Sequence, residues 1–307
     1  MSLKPLHFID LPGHIAQGGF DHAAIHRASS RLYVAHTVNN AIDVIDCETD
    51  RYLYSIPGLT GVAGALVSDE RDLIFTSNRG EDSISILSPT DGTVSTKIGV
   101  GIRPNGLSFD PQRGLLLAAN VGNPDIPGSF TLSVVDIKQR KMIASIPVAG
   151  RTRWTIFDPA SGCFYVNISD PWQIAVVEAA NPTCVARMMA IPAEGPHGLD
   201  LDPATNRLFC ACDTGKLFAL EARSGKILLE ADLSGKPDVI FFNQILNHLY
   251  VAIGDPGVMD VFDTETLNRL EVVTTEKGAH TIAFDVARDK VYAFLPQTRR
   301  AQVFIDA

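Results

Sequence analysis

Histidine and aspartate side chains recur along this chain at intervals of roughly forty residues. His197, Asp238 and His280 are separated by 41 and 42 residues, and Asp21 occupies the equivalent place near the start of the chain. Imidazole and carboxylate groups are common ligands of first-row divalent metal ions, and they also serve as general acids and bases. We therefore predict a divalent metal site formed by Asp21, His197, Asp238 and His280, with the identity of the metal left open.

The same interval carries groups that suit an anionic substrate. Counting back from His197 gives Arg153 and Asn105 at equivalent positions, and Trp154 and Trp172 belong to the same repeat as Arg153. A guanidinium group beside large aromatic rings can hold an anionic or planar molecule. We predict a substrate site that includes Asn105, Arg153, Trp154 and Trp172; packing between repeats is the alternative role of each tryptophan.

Two more histidines are candidates for substrate binding. His22 follows Asp21 and is able to replace it, because the sequence does not fix the register of a strand to one residue. His36 occupies the place that Asn78 and Asn120 have in the next two repeats. We include His22 and His36 in the predicted substrate site.

Three residues receive candidate catalytic roles. His197 and His280 are ligands of the metal, or one of them is a general base, and Arg153 holds the anionic group of the substrate.

Tandem repeats must position these groups. Each repeat has a short apolar run, an Asp-Pro-like turn and a second apolar run, followed in the fuller copies by two more runs. Four alternating runs separated by Gly, Pro, Asn and Asp predict a four-stranded meander, and a period near forty is typical of a β-propeller blade. The copies are clearest in residues 103–122, 196–214, 236–254 and 279–294.

The number of repeats predicts a closed ring of seven blades. The aligned positions are separated by 42, 42, 48, 44, 41 and 42 residues and comprise Asp21, Ala63, Asn105, Arg153, His197, Asp238 and His280. The last copy ends after its third strand, whereas residues 6–12 have the pattern of a fourth strand. We predict an all-β fold in one propeller domain of residues 1–307, with residues 1–14 completing the last blade and leaving no open sheet edge.

Composition and charge exclude several functions. A net charge of -9 argues against binding to nucleic acid or to an anionic membrane surface, both of which need a basic footprint. No G-x-S-x-G, H-E-x-x-H, P-loop or C-x-x-C-H motif occurs in the sequence. The N-terminal residues lack the apolar core of a secretory signal, which favours a cytoplasmic location; a periplasmic form with a removed signal is the alternative.

Five cysteines do not form an even disulfide framework. Cys210 and Cys212 are two residues apart on a predicted strand and so point to the same side of the sheet. They fit two small buried side chains better than a metal or redox pair.

The repeat resembles the YVTN family of prokaryotic seven-bladed propellers. The resemblance is carried by the second and third strands of residues 32–46 (LYVAHTVNNAIDVID), 74–87 (IFTSNRGEDSISIL) and 249–263 (LYVAIGDPGVMDVFD). In propellers of this kind the first strand of each blade lines a central channel, and the second strand ends on the face where the first begins. The predicted ligands would therefore surround one mouth of the channel, together with an enlarged loop at residues 120–130.

Two groups of propeller enzymes are similar in kind at this position. Lactonases resembling regucalcin hold a divalent ion with Glu, Asn and Asp, for which Asp21, Asn105 and Asp238 are comparable, although that group has six blades and no counterpart of His197 or His280. The streptogramin-lyase group is seven-bladed and places His and Glu around Mg²⁺; the segment PHGL at 196–199 and His280 are similar to it, with Asp238 in place of Glu.

These observations predict a metal-dependent enzyme, a hydrolase or lyase, that acts on a small anionic molecule at the channel mouth. The alternative is a non-catalytic propeller that binds a ligand or a protein partner on one face. A redox protein that uses Cys210 and Cys212 is a third and weaker interpretation.

Overall fold

The computed structural model describes residues 3–306 and contains 28 β-strands. The first four strands of the ring form blade 1, and each later group of four forms the next blade. Blades 1 to 3 comprise β2 Phe20–His26, β3 Arg31–His36, β4 Ala41–Asp46 and β5 Arg51–Ile56; β6 Val62–Ser68, β7 Leu73–Asn78, β8 Ser83–Leu87 and β9 Val94–Gly99; and β10 Pro104–Asp110, β11 Leu115–Asn120, β12 Thr131–Asp136 and β13 Lys141–Pro147.

Blades 4 to 6 follow the same plan. They comprise β14 Thr152–Asp158, β15 Cys163–Ile168, β16 Gln173–Glu178 and β17 Arg187–Ala190; β18 Pro196–Asp202, β19 Arg207–Cys212, β20 Lys216–Glu221 and β21 Ile227–Asp232; and β22 Pro237–Asn243, β23 His248–Ile253, β24 Val258–Asp263 and β25 Arg269–Thr274.

Blade 7 combines the two ends of the chain. It contains β26 Thr281–Asp285, β27 Lys290–Leu295 and β28 Arg300–Asp306, and its outer strand is β1 Leu3–Asp10, which pairs antiparallel with β28. The N-terminal strand begins three residues before the predicted position and ends two residues before it. Met1, Ser2 and Ala307 of the predicted domain lie outside the described residues.

The predicted all-β propeller of seven four-stranded blades is confirmed. The innermost strand of blade 1, β2, lies beside both β6 and β26, so the ring closes around a central channel. Within residues 3–306, the only helical segment is a short 3-10 turn at Thr37–Asn39, and no helix is long and apolar enough to cross a membrane.

The core lies between adjacent blades because each sheet has two apolar faces. Between blades 7 and 1, for example, Tyr292 and Phe294 pack with Leu32 and Ile45. The second and third strands of each blade are almost wholly buried, whereas most outer strands alternate between exposed and less exposed residues. Burial on both faces explains why the sequences of the second strands are continuous apolar runs, whereas those of most outer strands alternate between apolar and polar residues.

Candidate functional site

The aligned positions of the repeat lie at irregularities in the innermost strands. In blades 1 to 6, the pairing of the first strand with the second shifts after the first residue, so that one or two residues fall outside the regular register. In blade 5, for example, Pro196 pairs with Cys212 and Gly198 with Ala211, which leaves His197 unpaired between them. A bulge of this kind re-aims a side chain. Each aligned residue is the second residue of its strand, except His280, which directly precedes β26.

His197 is the centre of the charged cluster at the start of these strands. Its Nδ1 atom lies 2.7 Å from Oδ1 of Asp213, and its Nε2 atom lies 3.2 Å from Oδ1 of Asp238. Burial alone would lower the pKa of His197, but the charge of Asp238 and the hydrogen bonds to both carboxylates outweigh it and raise the pKa. His197 is accordingly held toward its protonated form.

Arg153 competes with Asp238 for the same nitrogen of His197. The Nη1 atom of Arg153 lies 3.1 Å from Nε2 of His197, and its Nη2 atom lies 3.3 Å from Oδ2 of Asp213. A protonated His197 donates from Nε2 to Asp238, whereas a neutral His197 can accept from Arg153 at that nitrogen. The protonation state of His197 therefore determines whether its Nε2 atom binds Asp238 or Arg153.

Asp238 links His197 to two other histidines. Oδ2 of Asp238 lies 3.7 Å from Nδ1 of His280, and Asp238 also interacts electrostatically with His22. Burial opposes the ionised form, but the charge and hydrogen bond of His197, followed by the charge of His280, outweigh it and hold the pKa of Asp238 well below its usual range. The structure thus brings together three of the four predicted metal ligands: His197, Asp238 and His280.

The fourth predicted ligand, Asp21, has other partners. Its carboxylate lies 3.2 Å from Nη2 of Arg79 and 3.4 Å from Nε2 of His22. The ring of His22 is buried and packs on Trp154 with 4.1 Å between the ring centres. Burial lowers the pKa of His22, and it remains the largest influence although Asp21 and Asp238 act against it. His22 is therefore held toward its neutral form, in contrast to His197.

Of the four predicted metal ligands, two are better placed than the others to coordinate an ion. Nδ1 of His280 is buried and accepts or donates no hydrogen bond within residues 3–306, so it and Asp238 have free capacity for an ion. In contrast, both ring nitrogens of His197 already have partners, and a metal would have to displace one of them. Over the described residues, no group of three or more His, Cys, Asp or Glu side chains has the arrangement of a metal site.

Four arginines also belong to this channel mouth. Arg103 and Arg151 directly precede β10 and β14, Arg153 lies in β14, and Arg79 follows β7. Arg79 and Arg153 pair with carboxylates, whereas Arg103 and Arg151 have no ion-pair partner in the part of the chain that the structure describes. Burial, followed by the charges of Arg153, Arg79 and Arg103, lowers the pKa of Arg151. These arginines therefore place positive charge at one mouth of the channel, in a chain whose net charge is -9.

The other predicted substrate-site residues differ in their exposure to solvent. The Oδ1 atom of Asn105 is buried without a hydrogen-bond partner within residues 3–306, and Trp154 lies inside the channel, where it also contacts Phe241 edge to face. Trp172 is exposed on the turn between β15 and β16.

The structure does not place His36 in the predicted substrate site. It is fully buried in blade 1, where its Nδ1 atom lies 2.7 Å from Oδ2 of Asp43 and its ring packs on Phe20. The reason is the register: His36 is the last residue of β3 and pairs with Ala41 of β4, which points its ring into the space between blades. We therefore leave His36 out of the site.

Asp213 is the main residue of the cluster that was not among the predicted site residues. It follows β19 and also pairs with Lys236 at 3.0 Å. In the sequence, an aspartate between two strands is typical of a turn. Its position on the loop after a second strand, which returns to the face of His197, is the signal that would have identified it.

Comparisons with known proteins agree on the fold alone. No family model matches the chain, and no curated protein matches its sequence. The structure is similar to that of a chain of hydrazine synthase from Kuenenia stuttgartiensis, with a TM-score of 0.80 and 15% sequence identity over 96% of both chains. At this identity the likeness establishes a seven-bladed propeller and carries no activity to this chain.

Proposed function

We propose that the channel mouth is an enzyme site that binds a small anionic molecule and transfers a proton to or from it. The observation that carries the proposal is that Arg103 and Arg151, which have no ion-pair partner within residues 3–306, lie on the same opening as the His197–Asp213 pair. A carboxylate or phosphate would supply the missing counter-charge, and the planar fork of arginine can bind either one through two parallel hydrogen bonds.

Two histidines with opposite pKa shifts support the proton-transfer step. Burial lowers the pKa of His22 and its two carboxylates raise the pKa of His197, while Asp238 acts on both. Groups whose environments push their pKa values apart are suited to act as base and acid in one site. His22 would accept a proton, His197 would donate one or stabilise negative charge, and Arg153 would hold the anionic group beside His197.

The divalent ion remains part of the proposal. Asp238 and His280 would hold it, since Nδ1 of His280 has no hydrogen-bond partner within residues 3–306 and lies 3.7 Å from Oδ2 of Asp238. Such an ion would polarise a carbonyl group or activate water. His197 would then not coordinate the ion, and its contacts with Asp213 and Arg153 would keep its ring oriented.

Anion binding is tested with the variant Arg103→Gln/Arg151→Gln. Thermal unfolding is measured with citrate, malate and inorganic phosphate, and we expect at least one of them to raise the midpoint of the wild-type protein by several degrees. The double variant should lose this shift, whereas Arg51→Gln, on the exposed outer strand β5, should retain it. Equal shifts in the double variant and the wild type would contradict the proposal.

The metal is tested on protein purified without chelators. We expect elemental analysis, or thermal shifts with Mn²⁺, Zn²⁺, Fe²⁺, Ni²⁺ and Mg²⁺, to reveal an ion that is lost in the variant Asp238→Asn/His280→Gln. The control His7→Gln changes an exposed histidine on β1 and should keep the ion. Protein that contains no metal and responds to none of these ions would overturn this part of the proposal.

A non-catalytic ligand-binding site is the second candidate. It is favoured by the saturated contacts of His197, which already has Asp213, Asp238 and Arg153 as partners. This function predicts that His197→Ala/His280→Ala leaves anion binding intact and that no anion is converted. Metal-dependent turnover that disappears in this double variant would refute it.

The proposal also includes the family resemblance, the location and the partners that the sequence predicts. The second-strand segments LYVA at 32–35 and 249–252 support kinship with the YVTN propellers. A cytoplasmic location, a small-molecule ligand, and the absence of nucleic-acid and membrane partners are parts of the same proposal; a protein partner belongs to the non-catalytic alternative.

A further inference from the structure

The central channel contains a cavity of about 610 Å³ that extends away from the charged mouth. All seven innermost strands contribute to its wall, which runs from His22 and Trp154 to the turn residues Pro111, Pro159 and Pro203. These prolines follow the ends of β10, β14 and β18, whereas the charged mouth lies at the starts of the same strands. The cavity therefore reaches the opposite face of the ring, and the packed rings of His22 and Trp154 close its inner end.

Equivalent residues of the innermost strands can be compared between all seven blades. These residues pair with the third residue of each second strand, and they are Ala24, Leu66, Ser108, Ile156, Asp200, Phe241 and Ala283. Six of these residues carry no charge. Asp200 is the single ionisable group among them, so the repeat itself does not require a carboxylate there.

The carboxylate of Asp200 borders the cavity and has unused acceptor capacity. Oδ1 accepts a hydrogen bond from the backbone N–H of Leu201 at 2.8 Å, and Oδ2 accepts one from Phe242 at 2.7 Å. A carboxylate can accept about four hydrogen bonds. Asp200 has no ion-pair partner within residues 3–306, and burial raises its pKa to about 6 despite these two bonds.

The remaining charges around the cavity favour a cation over an anion. The other titratable groups in its wall are His22, Arg27, Asp69, Glu70 and Asp285. Arg27 is already paired with Asp69 at 2.7 Å, and Asp285 is paired with Arg288 at 3.1 Å. Together with Asp200 and Glu70, these pairs leave the cavity with an excess of negative charge.

We propose that this cavity binds a small hydrophobic amine, with the ammonium group against Asp200 and the apolar body against Leu66, Leu107 and Ile156. A buried carboxylate gains most from a partner of opposite charge that also donates hydrogen bonds, and an ammonium group does both. Apolar walls with one placed polar group are typical of small-molecule sites, and the volume is within their usual range. This site is separate from the proposed anion site, because it lies at the other end of the channel and selects the opposite charge.

The test compares decylamine, decanol and decanoate, which share one chain length and differ in their head groups. Binding is followed by the fluorescence of Trp154 at the inner end of the cavity, in a Trp172→Phe background that removes the exposed tryptophan. We expect decylamine to bind at least tenfold more tightly than decanol, and decanoate to bind more weakly than either. Equal affinities for the amine and the alcohol, tighter binding of decanoate, or no binding of decylamine would overturn the proposal.

Two variants locate the site. Asp200→Asn keeps a side-chain acceptor for the N–H of Phe242 but has no charge, so the affinity for decylamine should fall about tenfold while that for decanol is unchanged. Ala24→Phe places a ring in the cavity and should weaken both ligands at least tenfold. The control Asp232→Asn removes an exposed carboxylate from β21 and should change neither affinity. Unchanged decylamine binding in both Asp200→Asn and Ala24→Phe would contradict the assignment.

Two further readouts separate this site from other roles of Asp200. The preference for decylamine over decanol should increase between pH 5 and pH 7.5 as Asp200 ionises, and Asp200→Asn should abolish that increase. Arg103→Gln/Arg151→Gln should leave amine binding unchanged, so failure of the anion proposal would not affect this one. A pH-independent preference in the wild-type protein would overturn the role of Asp200.

Discussion

The Nδ1 atom of His197 lies 2.7 Å from Oδ1 of Asp213, although 16 residues and a complete β-hairpin separate them in the chain. The hairpin of β18 and β19 returns Asp213 to the start of β18, where the bulge at His197 turns the imidazole toward it. Asp238 from the next blade meets the other ring nitrogen at 3.2 Å. His197 is thus held between two carboxylates that come from neighbouring blades.

Asp213→Asn should lower the pKa of His197. The substitution removes a negative charge and a charge-assisted hydrogen bond, both of which favour the protonated imidazole. Titration of the histidine side chains by NMR measures the change. Asp255→Asn, which removes an exposed carboxylate paired with Lys277, is the control and should leave His197 unchanged.

The same variant should alter the dependence of stability on pH. A histidine whose pKa is raised by folding stabilises the native state below its unfolded value, about 6.5, and loses that contribution as the pH rises through the folded value. The wild-type protein should therefore lose more stability than Asp213→Asn above pH 6.5. Denaturant unfolding between pH 6 and pH 9 tests this, and parallel curves would contradict it.

Closure of the ring through β1 predicts a matched pair of stability effects. Ile9 is buried against the core between blades 7 and 1, whereas Phe8, its neighbour, is exposed beside Arg300. Ile9→Ala should cost about 2 to 4 kcal/mol of unfolding free energy, as large-to-small changes in cores usually do. Phe8→Ala should cost less than about 1 kcal/mol. Denaturant titration measures both, and equal effects would show that β1 does not seal the core.

Trp154→Ala should raise the pKa of His22. Burial is the largest cause of the lowered value, and loss of the indole would admit water to the imidazole, which packs on it at 4.1 Å. NMR titration of His22 is the measurement. Trp172→Ala removes an exposed tryptophan and should leave His22 unchanged.

Asp200 should make the protein less stable as the pH rises from about 4 to about 6. Its folded pKa lies near 6 and its unfolded value near 3.9, so between these values the unfolded state releases its proton while the native state keeps it, which favours unfolding. The difference from Asp200→Asn between pH 4 and pH 7.5 should reach up to about 3 kcal/mol. Unfolding free energies that follow the same pH dependence in both proteins would show that Asp200 is already solvated.

The cysteines should differ sharply in reactivity. Cys184 is exposed, whereas Cys47, Cys210 and Cys212 are buried. Burial raises the pKa of Cys47 to about 12, and the thiolate is the reactive form. A thiol reagent should modify Cys184 first and the three buried residues only after unfolding. Rapid modification of Cys210 and Cys212 in the native protein would revive the redox interpretation.

The sequence by itself determined the architecture, because every repeat carries the same local information. Alternating runs, turn residues and a period near forty recur seven times, and the incomplete last copy has its missing strand at the start of the chain. Periodic signals of this kind are redundant, so an error in one copy, such as the placement of a strand end by a few residues, does not change the count. The same redundancy placed His197, Asp238 and His280 on one face.

The partners of those residues were decided only by the tertiary structure. The bulges that free His197 and Asp238 from the strand register depend on pairing with the neighbouring strand of the blade, which the sequence of one strand does not reveal. Asp213 occupies an ordinary turn position in the sequence yet contacts His197, whereas His36 occupies a predicted site position yet is buried in a blade. Repeats specify the backbone of a propeller, but the side-chain contacts of the site depend on strand pairing within a blade and on the packing of neighbouring blades, which join residues that are distant in sequence.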